Sequence, residues 1–152
     1  MKLTLDIAKL LLNEAVRKSK ELGIVENIAV VDDGGNLIAF ERMDNGKIAG
    51  IAIAIDKAWT AIGLQTPTAN LSATSVPNGP QYGLNTTNNG RVVVLGGGIP
   101  LVTNGGHFVG AIGVSGSTSA NDILVAQAAA TLFASLPIAR IGSSGLRALN
   151  LY

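Results

Sequence analysis

Residues 96–133 read GGGIPLVTNGGHFVGAIGVSGSTSANDILVAQAAATLF, and this stretch decides the fold. Two apolar runs meet at Asn104-Gly105-Gly106, and Asn-Gly between such runs signals a hairpin because both residues accept positive φ at little cost. The spacing therefore predicts strand, tight turn, strand. The second strand passes through Gly110, Gly113 and Gly116, which carry no Cβ, and ends at Ser117-Thr118-Ser119, hydroxyls suited to capping a helix. That helix is expected from about Ala120 to Leu136, laid closely on the hairpin. Asp122 falls in its first turn, where the helix dipole favours a negative charge, and Pro137 stops it.

Upstream, Thr4 is placed to cap a helix whose apolar positions Ile7, Leu10, Leu11, Ala15 and Leu22 follow a 3.6-residue period, and Gly23 closes it. Ile28–Val31 and Leu37–Met43 read as a second hairpin around the Asp32–Gly35 turn, and VVDDGGNLIA loosely parallels LVTNGGHFVGA. One such match is too little for an internal repeat. Lys47–Leu64 reads as a helix that is apolar nearly all round, hence buried on both sides, between the sheet and either a flap or a neighbouring subunit. The uncharged segment Thr66–Gly90, rich in Asn, Ser, Thr and Pro, reads as a short helix near Pro67–Ser72 followed by a flap that covers or builds a site. Arg91–Leu95 is β-branched and reads as a further strand. The expected architecture is α+β, with a five-stranded antiparallel sheet and helices packed on it. Residues 1–137 form one domain in this reading, and 138–152 a tail or an arm onto a neighbour.

With 152 residues, 47% of them apolar, a net charge of +1 and aromatics at 4%, the chain offers neither a basic patch nor a stacking platform, which excludes nucleic-acid binding. It contains no cysteine, so disulfides and thiolate metal sites are excluded, as suits a reducing compartment. No metal site is expected. The first helix carries Asp6 and Lys9 within its apolar period and is amphipathic, unlike a signal peptide. The uncharged run Ile123–Ala139 is interrupted by Gln127, Thr131, Ser135 and Pro137, against a membrane span. A cytoplasmic protein is expected. Beyond Lys57 the only charged residues are Arg91, Asp122, Arg140 and Arg147; that half lacks the charge to face water alone, and burial in a homo-oligomer explains it.

Few residues carry chemistry. Lys57 sits among Gly50, Ile53, Ala54 and Ala61, and is either an activated amine for base work or a lysine that snorkels or pairs with a carboxylate such as Asp44. Asp44 either caps the second helix or takes part in catalysis. His107, the only histidine, is either a surface residue or a single axial ligand or general base. Arg42 on the strand meets either a ligand carboxylate or an acidic neighbour. Gly97 and Gly98, in the run before Pro100, either present amides to an anion or let another group come close. Ser115 in GVSG matches only half of a nucleophile elbow, so serine hydrolysis is discounted.

VVDDGGNLIAFERMD, DKAWTA and GGGIPLVTNGGHFVGAIGVSGSTSANDILVAQAA, in this order, closely resemble the GlcG/HbpS-like family, the haem-degrading domain family that includes the PduO C-terminal domain. The resemblance runs from about Ile7 to Phe133. It implies a profilin-like α/β/α sandwich, assembly from dimers up to octamers, and haem or a related tetrapyrrole as ligand. The first helix lacks the histidine that a haem-binding relative places there, and the chain lacks the ExxE iron-binding pattern of secreted members. Two functions follow as expectations. One is a cytoplasmic, oligomeric small-molecule-binding protein whose pocket lies under the flap, lined by Arg42, Tyr82, Gly97, Gly98 and Pro100. The other is a cofactor-independent lyase, isomerase or cyclase acting on a small oxygenated metabolite, with Lys57, His107 and Asp44 as candidate catalytic groups.

Overall fold

The computed structural model describes residues 2–140. Helix α1 (Leu5–Leu22) starts where the sequence places it: Thr4 Oγ1 accepts from the Ile7 amide at 3.2 Å, and Gly23 ends the helix at φ +69°. Strands β1 (Asn27–Asp32) and β2 (Leu37–Arg42) follow, then α2 (Ala49–Leu64) and a single turn, α3 (Ala69–Ser72). The chain then runs through the flap into β3 (Gly98–Val102), β4 (Phe108–Ser115) and α4 (Ser119–Ser135). Thr118 caps α4, its Oγ1 accepting from the Asn121 amide at 3.2 Å.

The sheet is antiparallel in the order β2-β1-β4-β3, so the two hairpins lie side by side with β1 and β4 in the centre. Their turns are built alike. Asp32 pairs with Asn36, and Thr103 with His107, each through an N–H to carbonyl bond of 2.9 Å, and Gly35 and Gly106 close the loops at φ +77° and +82°. Each is thus a three-residue loop whose glycine supplies the left-handed step, not the two-residue Asn-Gly turn. A side chain braces each: Asp32 Oδ1 and Thr103 Oγ1 accept from the amides of Asn36 and His107. In β2 a bulge opposite Val30/Val31 breaks the expected alternation, and Ile38 and Ala39 both reach the same core.

Helices cover both faces. On one, Leu11, Leu12, Val125 and Phe133 of α1 and α4 meet Ile28, Val30, Ile112 and Val114. Each such side chain, fully buried, stabilises by about 1.5–3 kcal/mol, so this face holds most of the apolar core. On the other, α2 lies on Ala29, Val31 and Ala111 through Ala54, Ala58 and Ala61. Here small residues give proximity in place of bulk. A Cβ on Gly113 would stand 2.0 Å from the Ala54 carbonyl oxygen, so the helix that this glycine admits is α2, not the following helix.

Among the described residues the sheet has four strands, which corrects the expected five. Residues 91–95 pass beside α2 outside the sheet, and side chains, not a neighbouring strand, meet the Val93 amide and the Val94 carbonyl. Thr60 Oγ1 accepts from the Val93 amide at 3.0 Å, and Ser72 Oγ donates to the Val94 carbonyl at 2.9 Å. Most of the expected tail, 138–152, lies outside the described residues; Ile138 and Ala139 pack into the core, and the Ala139 carbonyl accepts from the Asn104 amide at 2.7 Å.

Candidate functional site

Three ionisable side chains meet inside the protein where the N-termini of α2 and α4 face the end of β4. Lys57, on the inner face of α2, is 2% exposed. Its Nζ donates to Asp122 Oδ2 at 3.0 Å and to the Val114 carbonyl at 2.9 Å. Asp122, in the first turn of α4, is also buried, and its Oδ1 accepts from the Ser117 amide at 3.0 Å. Glu26, just before β1, is fully buried, and neither carboxyl oxygen has a partner among the described residues. Burial pushes its carboxyl up to about 9, and the neighbouring Asp122 carboxylate pushes the same way, against weaker opposing effects of Lys57 and the Ser117 amide. Glu26 is therefore a neutral acid at pH 7, and the Lys57 cation is balanced by Asp122 alone.

Backbone without side chains makes room for this cluster. Gly97 sits at φ +125°, and a Cβ there would stand 2.5 Å from the Val114 carbonyl oxygen and 3.0 Å from Lys57 Nζ. Beside the cluster is a cavity of about 220 Å³ lined by Gly50, Ile53, Lys57, Leu95, Ser117 and Asp122, among others. A second, larger cleft of about 540 Å³ opens between α1 and the end of β2, lined by Val16, Lys20, Glu41, Arg42, Met43 and Asp44.

The residues singled out in the sequence fall into separate places. Lys57 and Gly97 are brought together at the cluster, with Gly98 against the Lys57 backbone. The carboxylate paired with Lys57 is Asp122, not Asp44. Asp44 and Arg42 line the other cleft, where Arg42 Nη1 donates to the Gly46 carbonyl at 3.1 Å. Asp44 does not cap α2, whose N-cap is Ile48 with no side-chain bond. Pro100 lies at the middle of the edge strand β3, opposite Ala111, Tyr82 is 69% exposed on the flap, and His107 is exposed at the β3–β4 turn. His107 is far from Arg42: the register Arg42–Asn27–Ser115 puts Arg42 at one end of β4 and His107 beyond the other, on the order of 25 Å away at strand rise. Sequence reasoning missed Glu26, and read Asp122 only as a first-turn charge. The signal for Glu26 is its place two positions ahead of the apolar run Ile28–Val31.

Among the described residues no helix is long and apolar enough to cross a membrane, and no group of three or more His, Cys, Asp or Glu is placed to hold a metal ion.

The chain is similar to known proteins along most of its length. It is 37% identical over 134 residues to an uncharacterized 15.0 kDa protein from the dhaT-dhaS intergenic region of Citrobacter freundii, covering 88% of this chain and 94% of that one. The crystal structure of Klebsiella pneumoniae protein ORFY superposes with a TM-score of 0.86 at 34% identity, covering 90% of this chain and 94% of that one. A crystal structure of a PduOC:haem complex superposes with a TM-score of 0.82 at 30% identity, covering 86% and 94%. Residues 3–131 match the model of the haem degrading protein HbpS-like family, so the chain belongs to the HbpS-like family.

Proposed function

We propose that the protein binds a tetrapyrrole, haem or a close relative, in the cleft between α1 and the end of β2. The observation that carries this reading is the cleft itself. Its volume of about 540 Å³ lies within the roughly 300–1,000 Å³ usual for sites that take drug-sized ligands, whereas the cavity of about 220 Å³ beside Lys57 is too small for a tetrapyrrole. Lys20 and Arg42 would pair with two propionates, Val16 would meet the ring, and the Met43 thioether would be the group to ligate the iron; Glu41 and Asp44 share the cleft and leave its lining without net charge. Met43 is held in place, its Sδ accepting from the Glu26 amide at 3.4 Å. A bound haem supplies iron-centred redox and ligand-binding chemistry; the protein's own residues bind and orient it. The PduOC:haem complex, similar over most of both chains, supports the ligand class.

The same reading takes the protein as a cytoplasmic homo-oligomer, from a dimer up to an octamer. The charge-poor second half carries Leu64, Val76, Leu95 and Leu124 exposed, and Ile48 is 80% exposed at the start of α2, apolar surface that a neighbouring subunit would cover. An enzyme built on Lys57, His107 and Asp44 together has less support, because the three side chains lie in three different places.

Titration of the purified protein with haemin, followed by absorbance, tests the reading. A saturable Soret band is expected, with affinity weakened about tenfold or more in the double variant Lys20→Ala/Arg42→Ala and unchanged in His107→Ala. No saturable band, or a band lost in His107→Ala and unaffected in the double variant, overturns it.

A further inference from the structure

We infer that the cavity of about 220 Å³ at the Lys57–Asp122 pair is a second binding site, for a small carboxylate metabolite with a short carbon chain, independent of the tetrapyrrole reading. Its charge is the first argument. Asp122 cancels Lys57, and Glu26 behind Gly116 carries its proton, so neither carboxyl leaves the site negative. What remains is positive. The first turns of α2 and α4, sixteen and seventeen residues long, both open on the cavity through Ala49, Gly50 and Ser119, and Lys47 stands at its rim.

Unused hydrogen-bonding capacity inside the protein is the second argument. An ammonium has three protons, and Lys57 commits two of them, to Asp122 and to Val114. The third belongs to a side chain 98% buried at the cavity wall, where an unmet donor is costly. Two carboxyl oxygens of the fully buried Glu26 are also without partners, and Oε2 stands only 2.9 Å from where a Cβ on the cavity-lining Gly116 would be.

Size and wall chemistry set the ligand class. At about 30 Å³ per water-sized group, the cavity holds roughly seven non-hydrogen atoms. The lining is mixed: Ser115, Ser117, Ser119 and Lys57 are polar, while Ala49, Ile53 and Leu95 are apolar. The apolar groups suit carbon and give nothing to a bare inorganic oxyanion. A two- to four-carbon oxo or hydroxy acid satisfies both kinds of group, its carboxylate on the helix N-termini and the free Lys57 proton.

The test is an amide-resolved NMR titration of the whole protein at pH 7 with pyruvate, glyoxylate and L-lactate in turn, and with inorganic phosphate as a separate arm. At least one carboxylate is expected to shift Gly50, Ser117 and Ser119 saturably, at least tenfold more tightly than phosphate. Ala49→Trp, which fills the cavity from an exposed position and leaves Lys57 and Asp122 themselves unchanged, is expected to abolish those shifts while its other amides stay in place. The inference is overturned if none of the three acids gives saturable shifts at these amides up to about 10 mM. Phosphate binding there as tightly as the acids, or Ala49→Trp folding normally and binding as before, overturns it equally.

Discussion

Lys57 Nζ lies 3.0 Å from Asp122 Oδ2, with the two side chains only 2% and 4% exposed. Sixty-five positions separate these residues in the chain, so the bond ties α2 on one face of the sheet to the start of α4 near the other. Removing one partner leaves an uncompensated buried charge. Lys57→Met or Asp122→Leu is therefore expected to cost about 3–5 kcal/mol each, and the double variant much less than their sum. Urea denaturation of the four proteins measures the coupling; additive losses would mean that the two charges do not depend on one another.

Glu26 makes stability depend on pH. Its carboxyl is raised from the ordinary 4.5 to about 9 in the folded protein. Below 4.5 both folded and unfolded chains hold the proton; between 4.5 and 9 only the folded chain does. The stability associated with that proton is thus full at low pH and is lost as pH rises through this window, with a slope of up to about 1.4 kcal/mol per pH unit. Glu26→Gln, which cannot titrate, is expected to flatten the slope between about pH 5 and 8 and to exceed the parent's melting temperature at the upper end. Parallel profiles for the two proteins would show that Glu26 ionises as an ordinary carboxyl.

Two glycine substitutions should act in opposite directions. Gly113→Ala puts a methyl 2.0 Å from the Ala54 carbonyl oxygen and 2.6 Å from the Ala58 amide nitrogen, so α2 must move off the sheet, at a cost of about 1–3 kcal/mol or more. Gly63→Ala, within α2 with nothing within 4 Å of the new methyl, should stabilise by about 0.5–1 kcal/mol. Thermal melts of both variants check the pair, and a neutral Gly113→Ala would contradict the close helix–sheet contact.

Sedimentation at micromolar concentration should show an assembly larger than one subunit. A charge introduced at Ile48, the most exposed of the large apolar side chains at 80%, should weaken it if α2 begins within the interface. A single subunit for the parent protein would leave the exposed Leu64, Leu95 and Leu124 without explanation.

What the sequence disclosed is what neighbouring residues decide among themselves. Thr4, Gly23 and Thr118 stand where helix ends need their particular chemistry, and both Gly-Gly turns are settled within five residues. Partners supplied from far along the chain stayed hidden. Residues 91–95 have the composition of a strand, but Thr60 and Ser72 satisfy their backbone first. Lys57 was legible as a lysine in apolar surroundings, while Asp122 as its partner was not, because only the packing of α4 beside β4 brings them together. Glu26 drew no reading, because only the central place of β1 in the sheet buries it.

The most direct test of the tetrapyrrole reading is an amide-resolved NMR titration with gallium protoporphyrin, a diamagnetic stand-in for haem. The largest shifts are expected at Val16, Lys20 and Glu41–Asp44, with the Gly50 and Ser117–Ser119 amides little changed. Shifts centred on the His107 turn, or on the Lys57 cavity, would contradict it.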